Sequence, residues 1–220
     1  MLVCIFGKRG AGKTTTIKGA LESCQGPVVV ADILGNYVQE KNEKGEKIAP
    51  FYQEFDDLSD AIQKIGDWCK NPDEKNKIFI VRAKDPNVTV DFLSSALWEC
   101  RRGTLVLDEA DAFSLENAPC FDYLVRYGRN RNIDLLTGCR RPAEISRNIT
   151  AGANRVYAFR TQEPRDIEYF EKTVFGERAE RLMQVEPYNG LYIDYDTLTV
   201  GEFKIDESGN LFSLSQESIK

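Results

Sequence analysis

The stretch GKRGAGKTT places Gly7, Gly12, Lys13 and Thr14 at the G-x-x-x-x-G-K-[ST] spacing of a phosphate-binding loop. Each residue type has a task in that chemistry. Gly7, Gly10 and Gly12 let the backbone turn tightly, so that the N–H groups of Lys8, Arg9, Ala11 and their neighbours point inward at phosphate oxygens. Lys13 would set its ammonium on the β- and γ-phosphates of a nucleotide, and the Thr14 hydroxyl would take one position on a Mg²⁺ ion. Thr15 continues into a helix whose positive N-terminal end faces the same anion.

A second run, TLVLDEAD at Thr104–Asp111, is an apolar strand ending in acids. It would deliver Asp108 to the C-terminal end of the strand as a carboxylate for Mg²⁺, with Glu109 as the group that polarises an attacking water. Taken alone, DEAD also suits the acidic first turn of a helix, and only the loop upstream turns it toward a site for hydrolysis of Mg-bound ATP. A third run, Val125–Ile149, concentrates Arg126, Arg129, Arg131, Arg140, Arg141 and Arg147 against only Asp134 and Glu144. Solvated helix ends would account for some of these arginines. Arg140, after a strand, stands where a polar group can sense a γ-phosphate. Arg126 and Arg129 are candidates for an arginine finger that crosses a subunit boundary.

These residues need a scaffold that fixes them. Apolar, β-rich segments recur at 2–6, 28–31, 78–81, 104–107, 133–137 and 156–159, with helical patterns at 14–23, 58–70, 90–100, 121–129 and 142–151. That alternation predicts an α/β fold, a P-loop NTPase with a mostly parallel central sheet flanked by helices. Loops carrying chemistry then gather at the C-terminal ends of the strands. Residues 39–50 read as an exposed loop with room for a small hairpin. Beyond Pro187 the pattern becomes short β segments with turns at 195–197 and 208–210. The expected division is a core over 1–186 and a β-rich C-terminal extension of the same domain over 187–220.

Composition narrows the chemistry. The chain has no histidine, which excludes histidine general bases, Ser-His-Asp triads and histidine metal sites. Its six cysteines are scattered without a C-x-x-C pair, and reduced thiols are expected. The formal net charge of −6 argues against a broad nonspecific nucleic-acid surface, so any DNA contact is local. No apolar run approaches the roughly 18 residues of a membrane span, and the chain opens directly on a core strand. A soluble protein of the cytoplasm is expected, without a membrane partner.

The order GKRGAGKTT, VVVADILGNY, LVLDEAD, GRNRNIDLLTGCRRPAEI and RVYAFRTQEPRDIEYF resembles the HerA/FtsK superfamily of P-loop ATPases. Within it, the short chain is similar to viral, phage-type DNA-packaging ATPases, over Met1 to about Phe170. Asp32, Gly35 and Tyr37 match the family's Asp, Gly and aromatic after the second strand. The sensor strand departs from the pattern: TGCRRP keeps Arg141 and Pro142 but puts Arg140 where the family often has Gln. A guanidinium that contacts phosphate then stands in place of an amide that orients water.

The resemblance implies a homo-oligomeric ring, a hexamer or pentamer, with the nucleotide at the subunit boundary and double-stranded DNA in a central channel. It further implies a capsid portal or vertex protein as partner, and a place in the host cytoplasm or with the virion. Genome packaging driven by ATP hydrolysis is the function that follows. Alternatives are a phage assembly or secretion ATPase of the zonular-occludens-toxin type, and a nucleotide-dependent switch subunit. A small-molecule kinase is disfavoured by the Asp108-Glu109 pair.

Overall fold

The computed structural model describes residues 1–82 and 84–219. In chain order the regular elements are β1 (Leu2–Phe6), α1 (Lys13–Ala20), β2 (Val28–Ala31), β3 (Tyr52–Phe55), α2 (Leu58–Lys70) and β4 (Ile78–Val81). Then come α3 (Pro86–Cys100), β5 (Gly103–Asp108), α4 (Pro119–Tyr127), β6 (Ile133–Cys139), α5 (Arg147–Ala151), β7 (Arg155–Phe159) and α6 (Pro164–Phe170). The C-terminal strands are β8 (Asn189–Asp194), β9 (Thr199–Ile205), β10 (Leu211–Ser213) and β11 (Glu217–Ser218). The fold is α/β, with parallel strands flanked by helices and an antiparallel C-terminal part. The chain divides into two compact units. One contains Met1–Ala20, Glu109–Asp111 and the chain from Leu136 onward; the other contains Leu21–Asp108 and Ala112–Leu135.

In the second unit the strands run β5-β2-β4-β3, all parallel, with Val28 opposite both Thr104 and Ile78. All four residues of β2, VVVA, are buried, as an unbroken apolar run in a strand covered on both faces should be. Helices α2 and α3 pack on these strands. α2 buries Ala61, Ile65 and Trp68, spaced for one helical face, and Asp57 caps its start by accepting from the Ser59 and Asp60 N–H groups.

Two expectations change here. α3 begins at Pro86, four residues before the expected Val90, because Asp85 caps it and Pro86 occupies the first turn. The edge strand β3, YQEF, is half-buried and carries Gln53 and Glu54, so its apolar signal was too weak to read. Residues 39–50 form the expected open loop, with one antiparallel bridge, Lys41 to Lys47.

The expectation of reduced cysteines is overturned at one pair. Cys69 at the end of α2 and Cys100 at the end of α3 form a disulfide, with Cα atoms 5.7 Å apart. Packed helix ends bring them together across 31 residues of sequence, and no local spacing announces such a pair. Cys4, Cys24, Cys120 and Cys139 are free thiols.

In the first unit β1 pairs in parallel with β7, and β7 continues antiparallel through β8 and β9 to β10 and β11. The segment after Pro187 is therefore paired onto the strands of the first unit, with its turns at the expected positions. The C-terminal half of β6 is tied to β1: Gly7 N–H donates to Cys139 O at 3.1 Å and Thr137 Oγ1 to Val3 O at 3.2 Å.

Three further helical readings change. Helix α1 ends at Ala20, and Leu21–Ser23 tighten into a 3₁₀ turn. Helix α5 starts at Arg147, five residues late, because Pro142–Ser146 form turns and Ser146 is the cap. Helix α6 and the helical turns through Met183 add structure where none was read. Pro164 in the first turn, with buried Ile167 and Phe170, was the available signal.

Candidate nucleotide-binding site

The phosphate loop joins β1 to α1. Gly10 (φ +78°) and Gly12 (φ +111°) adopt the left-handed conformation that side chains resist. Lys8, Arg9 and Gly10 are exposed, whereas Ala11 is buried. Gly7 also has a packing reason: a Cβ there would stand 3.0 Å from Phe159 Cβ and 3.1 Å from Ala11 Cβ. Thr16 N–H returns to Gly12 O at 2.9 Å and Thr16 Oγ1 to the same oxygen at 3.0 Å, which closes the first turn of α1. Lys13 lies inside the loop, 5% exposed, and its Nζ donates to Gly7 O at 2.8 Å. A buried ammonium on a single neutral acceptor keeps donor capacity for an anion.

Glu109 belongs to the same unit and directly follows β5. Its φ of +68° is rare for a residue with a side chain, a conformation that costs on the order of 1–3 kcal/mol and concentrates at functional sites. Arg140, at the end of β6, reaches Glu109 with Nε at 3.7 Å from Oε2. Arg140 and Lys8 line one polar cleft of about 460 Å³ with Glu144, Thr161, Glu163 and Asp166. The loop, Arg140 and Glu109 are thus neighbours within one compact unit. Arg141 sits in that cleft at 3.9 Å from Glu144 and 3.8 Å from Glu163.

Two acids of the first unit were not singled out from sequence. Burial pushes the Asp166 carboxyl up, offset by the charge of Arg141 and by Thr161 Oγ1 donating to it. Asp111 raises the thiol of Cys139, which burial first and that charge second push up to about 12.

The second unit holds a buried acid-phenol pair. Asp32 accepts from the Asn36 N–H at 2.9 Å and the Tyr37 N–H at 3.1 Å, closing a turn that Gly35 allows with φ +70°. The turn carries Tyr37 inside, fully buried, where its hydroxyl donates to Asp108 Oδ2 at 3.3 Å. Burial and the adjacent Asp108 charge push the Tyr37 hydroxyl well above its ordinary pKa, so it stays a donor. Asp32 and Tyr37 stood in the sequence pattern, but the bond that orients Asp108 spans 71 residues.

The arginines of α4 and its exit turn are also in this unit. Arg126 is half-exposed and ion-paired with Asp122 one turn earlier at 2.8 Å. Arg129 is exposed in the 3₁₀ turn Gly128–Arg131. Arg131 lies with its guanidinium 4.7 Å from the centre of the Trp98 ring.

The residues fit a nucleotide and its magnesium. Hard oxygen donors of the kind Mg²⁺ takes are present in each unit, the Thr14 hydroxyl in the first and the Asp108 carboxylate in the second. Among the described residues no group of three or more His, Cys, Asp or Glu side chains could cage a metal. An ion held mainly by water and substrate phosphate needs no such cage. No helix among the described residues is long and apolar enough to cross a membrane.

No family model matches the chain, and no curated protein matches it. Solved structures do. The genome packaging NTPase B204 from Sulfolobus turreted icosahedral virus 2, in complex with AMPPCP, superposes with a TM-score of 0.69 at 17% identity, covering 91% of this chain and 95% of that one. B204, the DNA-packaging ATPase from Sulfolobus turreted icosahedral virus, gives 0.68 at 19% identity over 91% and 95%. VirB4 of Thermoanaerobacter pseudethanolicus gives 0.61 at 12% identity over 93% and 89%. At these identities the shared property is the fold.

Proposed function

We propose that this chain is an ATPase motor that moves double-stranded DNA, and that its task is to fill a viral capsid with its genome. The observation that carries the reading is the loop with buried Lys13 on Gly7 O, beside a left-handed Glu109 within ion-pair reach of Arg140. The likeness of fold to structures named as a genome packaging NTPase and a DNA-packaging ATPase supports it.

In this reading Lys13 exchanges Gly7 O for the β- and γ-phosphate oxygens, and the loop N–H groups hold the remaining phosphate oxygens. Bound Mg²⁺ would offset phosphate charge, with the Thr14 hydroxyl and the Asp108 carboxylate as its protein ligands and Tyr37 fixing the carboxylate. Glu109 accepts the proton of a water attacking the γ-phosphorus in line, the bond to the ADP oxygen breaks, and ADP and phosphate result. Arg140 steadies Glu109 before reaction and spreads charge on the transferred group during it. Arg129 or Arg126 enters the site of the adjacent subunit in a hexameric or pentameric ring. DNA fills the channel, and a capsid portal or vertex protein anchors the ring, in the host cytoplasm or on the virion.

The test is steady-state ATP hydrolysis with and without long double-stranded DNA across a range of salt, with Glu109→Gln as the blank. Stimulation by DNA that weakens as salt rises is expected, because phosphate contacts release counterions. Hydrolysis indifferent to DNA at every salt concentration would overturn the motor and leave an ATPase.

A further inference from the structure

The turn between β9 and β10 is a rigid piece. The Asp206 carboxylate accepts from the N–H of Ser208 at 3.0 Å, the N–H of Asn210 at 2.9 Å and Asn210 Nδ2 at 2.9 Å. Asp206 N–H also donates to Asn210 O at 3.2 Å and Gly209 N–H to Asp206 O at 3.1 Å. Its neighbours in the turn are exposed, yet Gly209 is buried.

What buries it is α1. A Cβ on Gly209 would run into the carbonyl oxygen of Thr15, and a Cβ on Gly19 would stand 2.8 Å from Ser208 O and 3.0 Å from Gly209 O. The strand leading into the turn makes the matching contact one turn earlier: a Cβ on Gly12 would run into Ile205 Cδ1 and stand 3.4 Å from the Phe159 ring. Three glycines at separate points thus mark one seam between the C-terminal hairpin and the loop-helix unit. Glycines elsewhere can be open, since a Cβ at Gly10, Gly45 or Gly176 would meet nothing within 4 Å.

Helix α1 needs such support. It is eight residues long and reads KTTTIKGA, three β-branched threonines and a glycine, a composition that holds a helix poorly without tertiary packing. We propose that the β9–β10 hairpin is a positioning element of the phosphate loop, with Ile205 backing Gly12 and the Ser208–Gly209 turn bracing α1. Nucleotide occupancy and the order of the hairpin are then linked, and by reciprocity each stabilises the other. The inference rests on the nucleotide site proposed above and gives the C-terminal extension a task in it.

The test is the affinity of the full chain for ATPγS, read with hydrogen exchange at Asp206–Leu214. Gly19→Ala raises intrinsic helix propensity while crowding Ser208 O, so a purely local account predicts equal or tighter binding. The linkage predicts binding about tenfold weaker. Ile205→Ala, which removes the contact without adding bulk, is expected to weaken binding about threefold, and carries the test if Gly19→Ala does not fold. Gly176→Ala, a glycine-to-alanine change at φ +59° with nothing within 4 Å of the added Cβ, should leave affinity unchanged.

In the wild-type chain saturating ATPγS should slow exchange in the hairpin, a response that a structural brace without linkage would not give. Wild-type binding with unchanged affinity in the hairpin variants and unchanged exchange would overturn the inference and leave the nucleotide site intact. Failure of the wild-type chain to bind ATPγS would overturn the site itself, and the inference with it.

Discussion

The phosphate loop and the arginine turn after α4 both present cations, but they treat them in opposite ways. Lys13 is 5% exposed and tied to a backbone oxygen, with Phe159 and Ile205 packed behind the loop glycines. Arg126 and Arg129 stand exposed, and on the same part of the second unit Tyr123 and Tyr127 are 50% and 44% exposed, Tyr123 meeting the Trp98 ring edge-on and the Tyr127 ring at a tilt. Tyr, Trp and Arg on a surface are the side chains that form the anchors of protein interfaces. In the proposed reading, the group that meets a small anion at fixed geometry is held from within its own unit, and the group that would serve a neighbouring subunit is left exposed.

The sharpest way to break this contrast is Arg129→Ala. If the arginine serves a neighbour's site, turnover in assembled rings should fall on the order of 10³-fold, and mixing with Glu109→Gln subunits should restore some of it. Loss without rescue at any mixing ratio would make Arg129 an internal residue and erase the distinction between the two regions. Lys13→Ala attacks the other side. Removing a buried charge-assisted donor should weaken ATPγS binding by roughly 10- to 100-fold in isothermal titration, with the fold intact by circular dichroism.

Tyr37→Phe sharpens the comparison at the buried Asp108. Loss of one hydrogen bond to the carboxylate should raise the Mg²⁺ concentration for half-maximal hydrolysis about fivefold, and an unchanged requirement would show that Tyr37 only fills space. The smallest effect on turnover is expected from Cys100→Ser. Opening the α2–α3 disulfide, which closes a 31-residue separation, should lower unfolding stability by about 3–4 kcal/mol in denaturant titration while leaving ATPγS affinity unchanged. A parallel loss of affinity would show that the two compact units share one stability.

Much of the site could be read in one dimension because it is contiguous there. The β1-loop-α1 run needs only short-range physics: an apolar strand, glycines where φ turns positive, and a lysine at the helix start. Strands β2 and β4 were equally legible, as unbroken apolar runs. Strand β3 was not, because Gln53 and Glu54 belong to a half-covered edge strand paired with β4. Helix α6 was hidden by its sparse apolar pattern, which becomes a face only when Ile167 and Phe170 find the core.

The sequence by itself determined the loop, the acids that end β5, the absence of any histidine chemistry and the parallel strands that carry the site. All of these follow from residue type and near-neighbour spacing. Tertiary structure alone decided that Tyr37 orients Asp108, that Arg140 meets Glu109, that Cys69 finds Cys100 and that Gly209 seats on Thr15. Those partners lie 31 to 194 residues apart, and no local propensity encodes a contact that exists only once packed elements bring two distant side chains within a few ångströms.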